Sequence, residues 1–139
     1  TMQCGSSTIF IAGDVDAELP LLHEAVDQGR ISGNNAGGFP DVQVGLRRTP
    51  LSIVFCDPQI ALVGQRFSDL VPRRYVTGSL SFVDQGRSRV MRQNRGVLRL
   101  YAELGSGRFL GAEMVGPRAE HLAHLLAWAC QNQMTVTQM

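Results

Sequence analysis

The sequence predicts an α+β chain, an antiparallel sheet with flanking helices preceded by the tail of an α/β unit, and three observations point there. A run of β-forming residues, Ile9-Phe10-Ile11-Ala12, enters Gly13-Asp14 and then a helical pattern that starts near Pro20. Two alternating stretches, VLRLYAEL from Val97 and RFLGAEMVG from Arg108, flank the short loop GSG. A long helical pattern covers residues 118–133. Hairpins with helices outside them make an α+β layer, while strand, turn and helix in succession is the unit of α/β folds.

Taken in order, Ile9 to Ala12 read as a buried strand with no earlier strand to pair with, and Thr135 reads as the N-cap of a helix that stops at Met139. Both ends predict a piece of a longer protein, because a lone strand cannot satisfy its backbone groups. From Pro20, which the first helical turn tolerates, Leu21, Leu22, Ala25 and Val26 recur at helical spacing as one buried stripe. Gly29 and Gly33 weaken the far end, and GNNAGG at 33–38 with Pro40 predicts a loop. Residues 41–49 lack periodicity and end near Arg47-Arg48, read as a solvated linker, which places a domain boundary between segments 1–49 and 50–139.

After Pro50 the pattern is of strands. LSIVFC and IALVG flank the Asp57-Pro58 turn as a short pair, Phe67 to Leu70 makes one helical turn, and Tyr75 to Phe82 alternates as a strand with Gly78 as a candidate bulge. Residues 84–94 carry three arginines with no aromatic between them, which predicts an exposed loop or short helix rather than a nucleic-acid site. In the last helix Leu122, Leu125, Leu126 and Ala129 form the expected buried stripe, widened by Ala119 and Ala123, with His121, His124 and Trp128 on a neighbouring face.

Composition narrows the class. Hydrophobic residues are 44% and charged residues 18%, with a formal charge of +1, so neither a disordered tail nor a nucleic-acid surface is expected. Apolar runs such as Leu125 to Cys130 fall far short of the roughly 20 residues of a membrane helix, and neither a membrane span nor a signal peptide is expected. Cys4, Cys56 and Cys130 are scattered and odd in number, which argues against a disulfide scaffold or zinc site and for buried thiols in a reducing cytoplasm.

Asp14 is the leading candidate for function. A carboxylate on a turn can accept hydrogen bonds from a polyol, while the unpaired amides of the following helix donate to carbonyl oxygens of an electron-poor ring. IFIAGDV followed by LLHEAVDQG resembles the second flavin-contacting motif of the pyridine nucleotide-disulfide oxidoreductases, most closely the dihydrolipoamide dehydrogenase branch. FCDPQIALVG is similar to the opening of that family's dimerisation domain, with Cys56 and Gln59 where a Thr and a Glu usually stand, and residues 97–136 are similar to its hairpin and helix. The resemblance implies a C-terminal dimerisation domain after the tail of an FAD-binding domain, in a homodimer that passes electrons between a dithiol and NAD through FAD. It implies that Gly13 and Asp14 belong to the cofactor site, with Asp14 accepting a hydrogen bond from the ribityl chain, and that Leu21, Leu22 and His23 face the pyrimidine edge of the flavin, mostly through backbone amides.

No catalytic residue is expected in this chain: it has no CxxxxC pair, no nucleotide-binding glycine motif and no His-Pro-x-x-x-Glu segment. His23 in a first turn is equally a packing residue. His121 and His124, three apart without a cysteine or carboxylate cluster, are expected at a subunit interface with Trp128 rather than on a metal. GSGRFLG imitates a dinucleotide fingerprint, but a strand follows it. A non-enzymatic, self-associating α+β module is the rival reading. Within the enzyme class, transhydrogenase, glutathione-reductase-like and mercuric-reductase-like activities stay open; DQGR at 27–30 has a transhydrogenase flavour, and His23 fits the dihydrolipoamide branch.

Overall fold

A computed structural model describes all of residues 1–139, and the chain divides into two units, Thr1–Arg48 and Thr49–Met139. The first is built on one helix, α1 (Leu22–Gly38). The expected buried strand at Ile9 to Ala12 does not form. Phe10 makes a single antiparallel bridge to Gln3, and Ile9 is exposed. The segment does find an earlier partner, because Cys4 N donates to Ile9 O (2.9 Å) and Ile11 N to Met2 O (2.9 Å). The hydroxyl of Ser7, which donates to Cys4 O and accepts from Ile9 N, closes a side-chain-supported turn where a longer ladder would run.

Helix α1 also departs from its pattern. It continues through GNNAGG to Gly38 rather than stopping for a loop, and the chain leaves it at Phe39-Pro40. Its buried residues are Glu24, Asp27, Gln28, Ile31 and Asn35, whereas Leu22 is 84% and Val26 56% exposed. A polar face is buried because each of those side chains finds a partner in the segments before or after the helix. Asn35 donates to Thr1 O and Gln43 O and accepts from Gln43 N, which holds the glycine-rich turn helical. Gly45 lies so close to Ile31 that a Cβ there would overlap the isoleucine side chain.

The second unit is a five-stranded antiparallel sheet in the order β1-β2-β5-β4-β3, with β1 (Leu51–Val54), β2 (Gln59–Gly64), β3 (Tyr75–Ser81), β4 (Val97–Glu103) and β5 (Phe109–Gly116). Gly105 (φ 93°) and Gly107 (φ 69°) give the β4–β5 loop the left-handed conformations it requires. Gly78 pairs regularly with Leu100, so β3 has no bulge. The irregularity falls between Tyr101 and Ala102, which face Gly111 and Phe109 and leave Leu110 as the extra residue. A single 3-10 turn spans Phe67–Asp69, and α2 (Gly86–Val90) follows β3.

Helix α3 (Ala119–Gln131) packs on β1, β2 and β5. Ala119, Ala123 and Ala129 are buried there with Ala61, Val63, Phe109, Ala112 and Met114. Leu126 is partly buried, but Leu122 and Leu125 face outward, contrary to the expected leucine stripe. Small side chains let helix and sheet approach closely, so the alanine arc, not the leucine arc, takes the inner position. Thr135 does not start a helix. It bridges to Arg108, with Phe109 N donating to Met134 O (2.9 Å) and Val136 N to Gly107 O (2.9 Å), as a short addition beside the hairpin.

Candidate functional site

The Gly13–Asp14 turn begins at a backbone conformation that glycine alone adopts without strain, φ 82° and ψ −162°. Gly13 N donates to Oε1 of the fully buried Gln28 (2.6 Å), which ties the turn to the second turn of α1. Asp14–Asp16 then form one 3-10 turn, closed by Asp16 N to Gly13 O (3.0 Å) and Ala17 N to Asp14 O (3.2 Å). Asp14 is exposed on it. Leu21 is extended and offers no capping side chain, so Leu22, His23 and Glu24 present the first-turn amides of α1 at its positive end, while the Leu21 amide, expected among them, donates to Leu19 O (2.8 Å) because the chain turns there before the helix. The His23 Nε2 atom is buried and has no hydrogen-bond partner.

Arg47 and Arg48, expected in a solvated linker, instead clamp this helix. Arg47 donates from Nε (2.9 Å) and Nη2 (2.7 Å) to Glu24 Oε2 and from Nη1 to Glu18 Oε2 (2.8 Å). The hydrogen bonds that it donates to Glu18 and Glu24 raise the pKa of its guanidinium. Arg48 holds both oxygens of Asp27, from Nε (2.9 Å) and Nη2 (3.0 Å), and its amide adds a third bond. Asp27 is held below the ordinary carboxyl value, first by the Arg48 side-chain hydrogen bonds. Sequence patterning gave no sign of these pairs, since ion pairs 21 and 23 residues apart leave no local periodicity.

In the second unit His121, His124 and Trp128 all lie on the outer side of α3, with Trp128 72% exposed. His121 Nδ1 is 3.3 Å from Glu120 Oε1, and His124 Nδ1 is 2.6 Å from Glu120 O. The structure adds Leu122 and Leu125 to that side, which makes it apolar and aromatic rather than mainly polar. No group of three metal-ligating side chains is present. Cys4 and Cys56 are exposed rather than buried, while Cys130 is partly buried and its thiol is pushed up by that burial.

Residues 51–139 match the pyridine nucleotide-disulphide oxidoreductase dimerisation domain, the layer of antiparallel sheet and outer helix just described. This chain belongs to that family. Over 99% of its length it is 33% identical to a mercuric reductase of Acidithiobacillus ferrooxidans, and over 92% it is 33% identical to a dihydrolipoyl dehydrogenase of Haloferax volcanii. It spans 25% and 27% of those two proteins. Among solved structures, LpdA of Mycobacterium tuberculosis is 30% identical, with a TM-score of 0.75 over 92% of this chain and 28% of that one. Its relatives are thus oxidoreductases, and its second unit is the kind of domain through which the family dimerises.

Proposed function

We propose that residues 1–49 are the tail of an FAD-binding domain and residues 50–139 the dimerisation domain of a flavoprotein disulfide oxidoreductase, one that passes electrons between a dihydrolipoamide-like dithiol and NAD. The observation that carries the reading is the exposed Asp14 on a glycine-determined turn, set beside a helix that starts without a capping side chain. Those residues fit a flavin: the carboxylate accepts from ribityl hydroxyls, the α1 amides donate to the carbonyl edge of the ring, and the buried His23 Nε2 is left with a polar valence to satisfy. FAD supplies the redox chemistry, while the protein binds, orients and tunes it.

Within that division of labour, Gly13 sets the direction of the turn and Asp14 fixes the cofactor's sugar-alcohol arm. Leu21, Leu22 and His23 form the helix start, whose dipole stabilises negative charge on the ring by roughly 0.3–1 kcal/mol. His121, His124 and Trp128 belong to the homodimer contact. The chain by itself is catalytically silent, because the redox cysteine pair, the nucleotide-binding glycines and the catalytic His/Glu pair lie outside it. A second reading, reduction of a metal ion, is favoured by the alignment with a mercuric reductase across nearly all of this chain. The visible absorption of the full-length protein tests the common claim: a bound-flavin band is expected, and a colourless protein that takes up no added FAD would favour a self-associating module instead.

A further inference from the structure

We propose that Gln28 is a positioning residue of the flavin site, acting through the Gly13–Asp14 turn; the inference rests on the flavin reading and deepens it. Gln28 is the most completely buried polar side chain of the first unit, at 0% exposure, and its Oε1 accepts the Gly13 amide at 2.6 Å. The donor is a backbone N–H, so the orientation of the carboxamide is fixed by chemistry: oxygen toward Gly13, nitrogen away. The Nε2 atom is buried without a partner. A buried carboxamide kept with half its hydrogen-bonding capacity unused costs stability, and leucine would fill similar space without that penalty.

The position explains the choice. Gly13 occupies a left-handed-side conformation, φ 82°, with no side-chain cap, and the turn bearing Asp14 leaves from it. Without an acceptor for its amide, the turn is held by the short 3-10 bonds of residues 13–17 alone. Gln28 therefore transfers the rigidity of α1 to the turn, as does Ser32, whose hydroxyl donates to Ile11 O (3.0 Å) one turn further on. What matters at position 28 is the acceptor oxygen. Glutamate keeps it, and leucine removes it.

The test uses Gln28→Leu and Gln28→Glu in the full-length protein, each also combined with Asp14→Ala. Amide exchange at Gly13, which needs no cofactor, reads the turn; FAD titration of deflavinated protein reads the site. Gln28→Leu is expected to speed Gly13 exchange and weaken FAD binding by about tenfold, the scale of one lost hydrogen bond. Gln28→Glu should restore both to within about threefold of wild type. In the Asp14→Ala background Gln28→Leu should cost no further affinity, because the two act in series. Should Gln28→Leu fail to fold, the glutamate variant decides: loss of Gly13 protection there overturns the proposal. Faster exchange with unchanged FAD affinity, or equal losses in both backgrounds, overturns the positioning role while leaving the flavin reading intact. A wild-type protein that binds no FAD overturns both, and Gly13 exchange would then report a purely structural contact.

Discussion

Arg47 places two nitrogens on one oxygen of Glu24, a carboxylate only 1% exposed, while its third nitrogen reaches Glu18 at the surface. The arginine thus spans from solvent to a buried charge near the start of α1 and fixes the segment after the helix against the helix itself. Replacing Arg47 by Ala leaves Glu24 buried and unpaired, so urea unfolding should show a loss of about 3 kcal/mol. Glu18→Ala, at the exposed end, should cost under about 1 kcal/mol. Equal small losses would mean that the inner pair contributes no more than a surface bridge.

Asp27 makes stability depend on acid. Its folded pKa lies below the ordinary 3.8 because Arg48 holds the ionised form, so the unfolded chain takes up the proton first. The stabilisation is complete above the unfolded value and is lost as pH falls through the folded one. Asp27→Asn should lower stability at neutral pH and flatten the decline below about pH 4. An unchanged acid limb in a pH series of urea midpoints would show that other carboxylates govern it.

The second unit has the opposite dependence at high pH. Tyr101 is fully buried and donates to Glu113 Oε2 (2.8 Å), and burial together with that carboxylate pushes its pKa up to about 12. The native state keeps a proton that the unfolded chain gives up near 10, so stability is lost as pH rises from about 10 to 12. Tyrosinate absorbance should show a late-titrating component among the two tyrosines, absent from Tyr101→Phe. A single early transition in the wild type would place Tyr101 in contact with water.

Much of this architecture could be read from the chain, and the failures share a cause. The β4–β5 hairpin and α3 emerged from alternation, loop glycines and helical periodicity because their stabilising contacts repeat along the sequence. In α1 the buried face is Glu24, Asp27, Gln28, Ile31 and Asn35, chosen by partners in the flanking segments. Apolar periodicity pointed to Leu22 and Val26, which are exposed. In α3 the pattern marked a broad apolar surface but could not tell its alanine arc from its leucine arc. At the candidate site, Gly13, Asp14 and His23 stood out because IFIAGDV and LLHEAVDQG resemble a flavin-contacting motif, although the strand expected before the turn does not form. Gln28 carried no signal, since its role exists only once the helix has folded against the turn.

The outer side of α3 should report association. Trp128 is the sole tryptophan and is 72% exposed, with Leu125 at 61% nearby on the helix. Sedimentation should find a dimer. Trp128→Ala is expected to weaken it by about thirtyfold or more, the scale of an aromatic anchor at an interface. Tryptophan emission in the wild type should shift to shorter wavelength as concentration rises and the indole leaves water. A monomer at all concentrations, or a dimer indifferent to the substitution, would remove Trp128 from the contact.

The most direct measurement is the FAD affinity of the full-length protein with and without the Asp14 carboxylate. Asp14→Ala should weaken binding by about tenfold to a hundredfold, the loss of hydrogen bonds to a charged acceptor, with Asp14→Asn falling between. Equal affinity and equal flavin content in all three proteins would contradict the account.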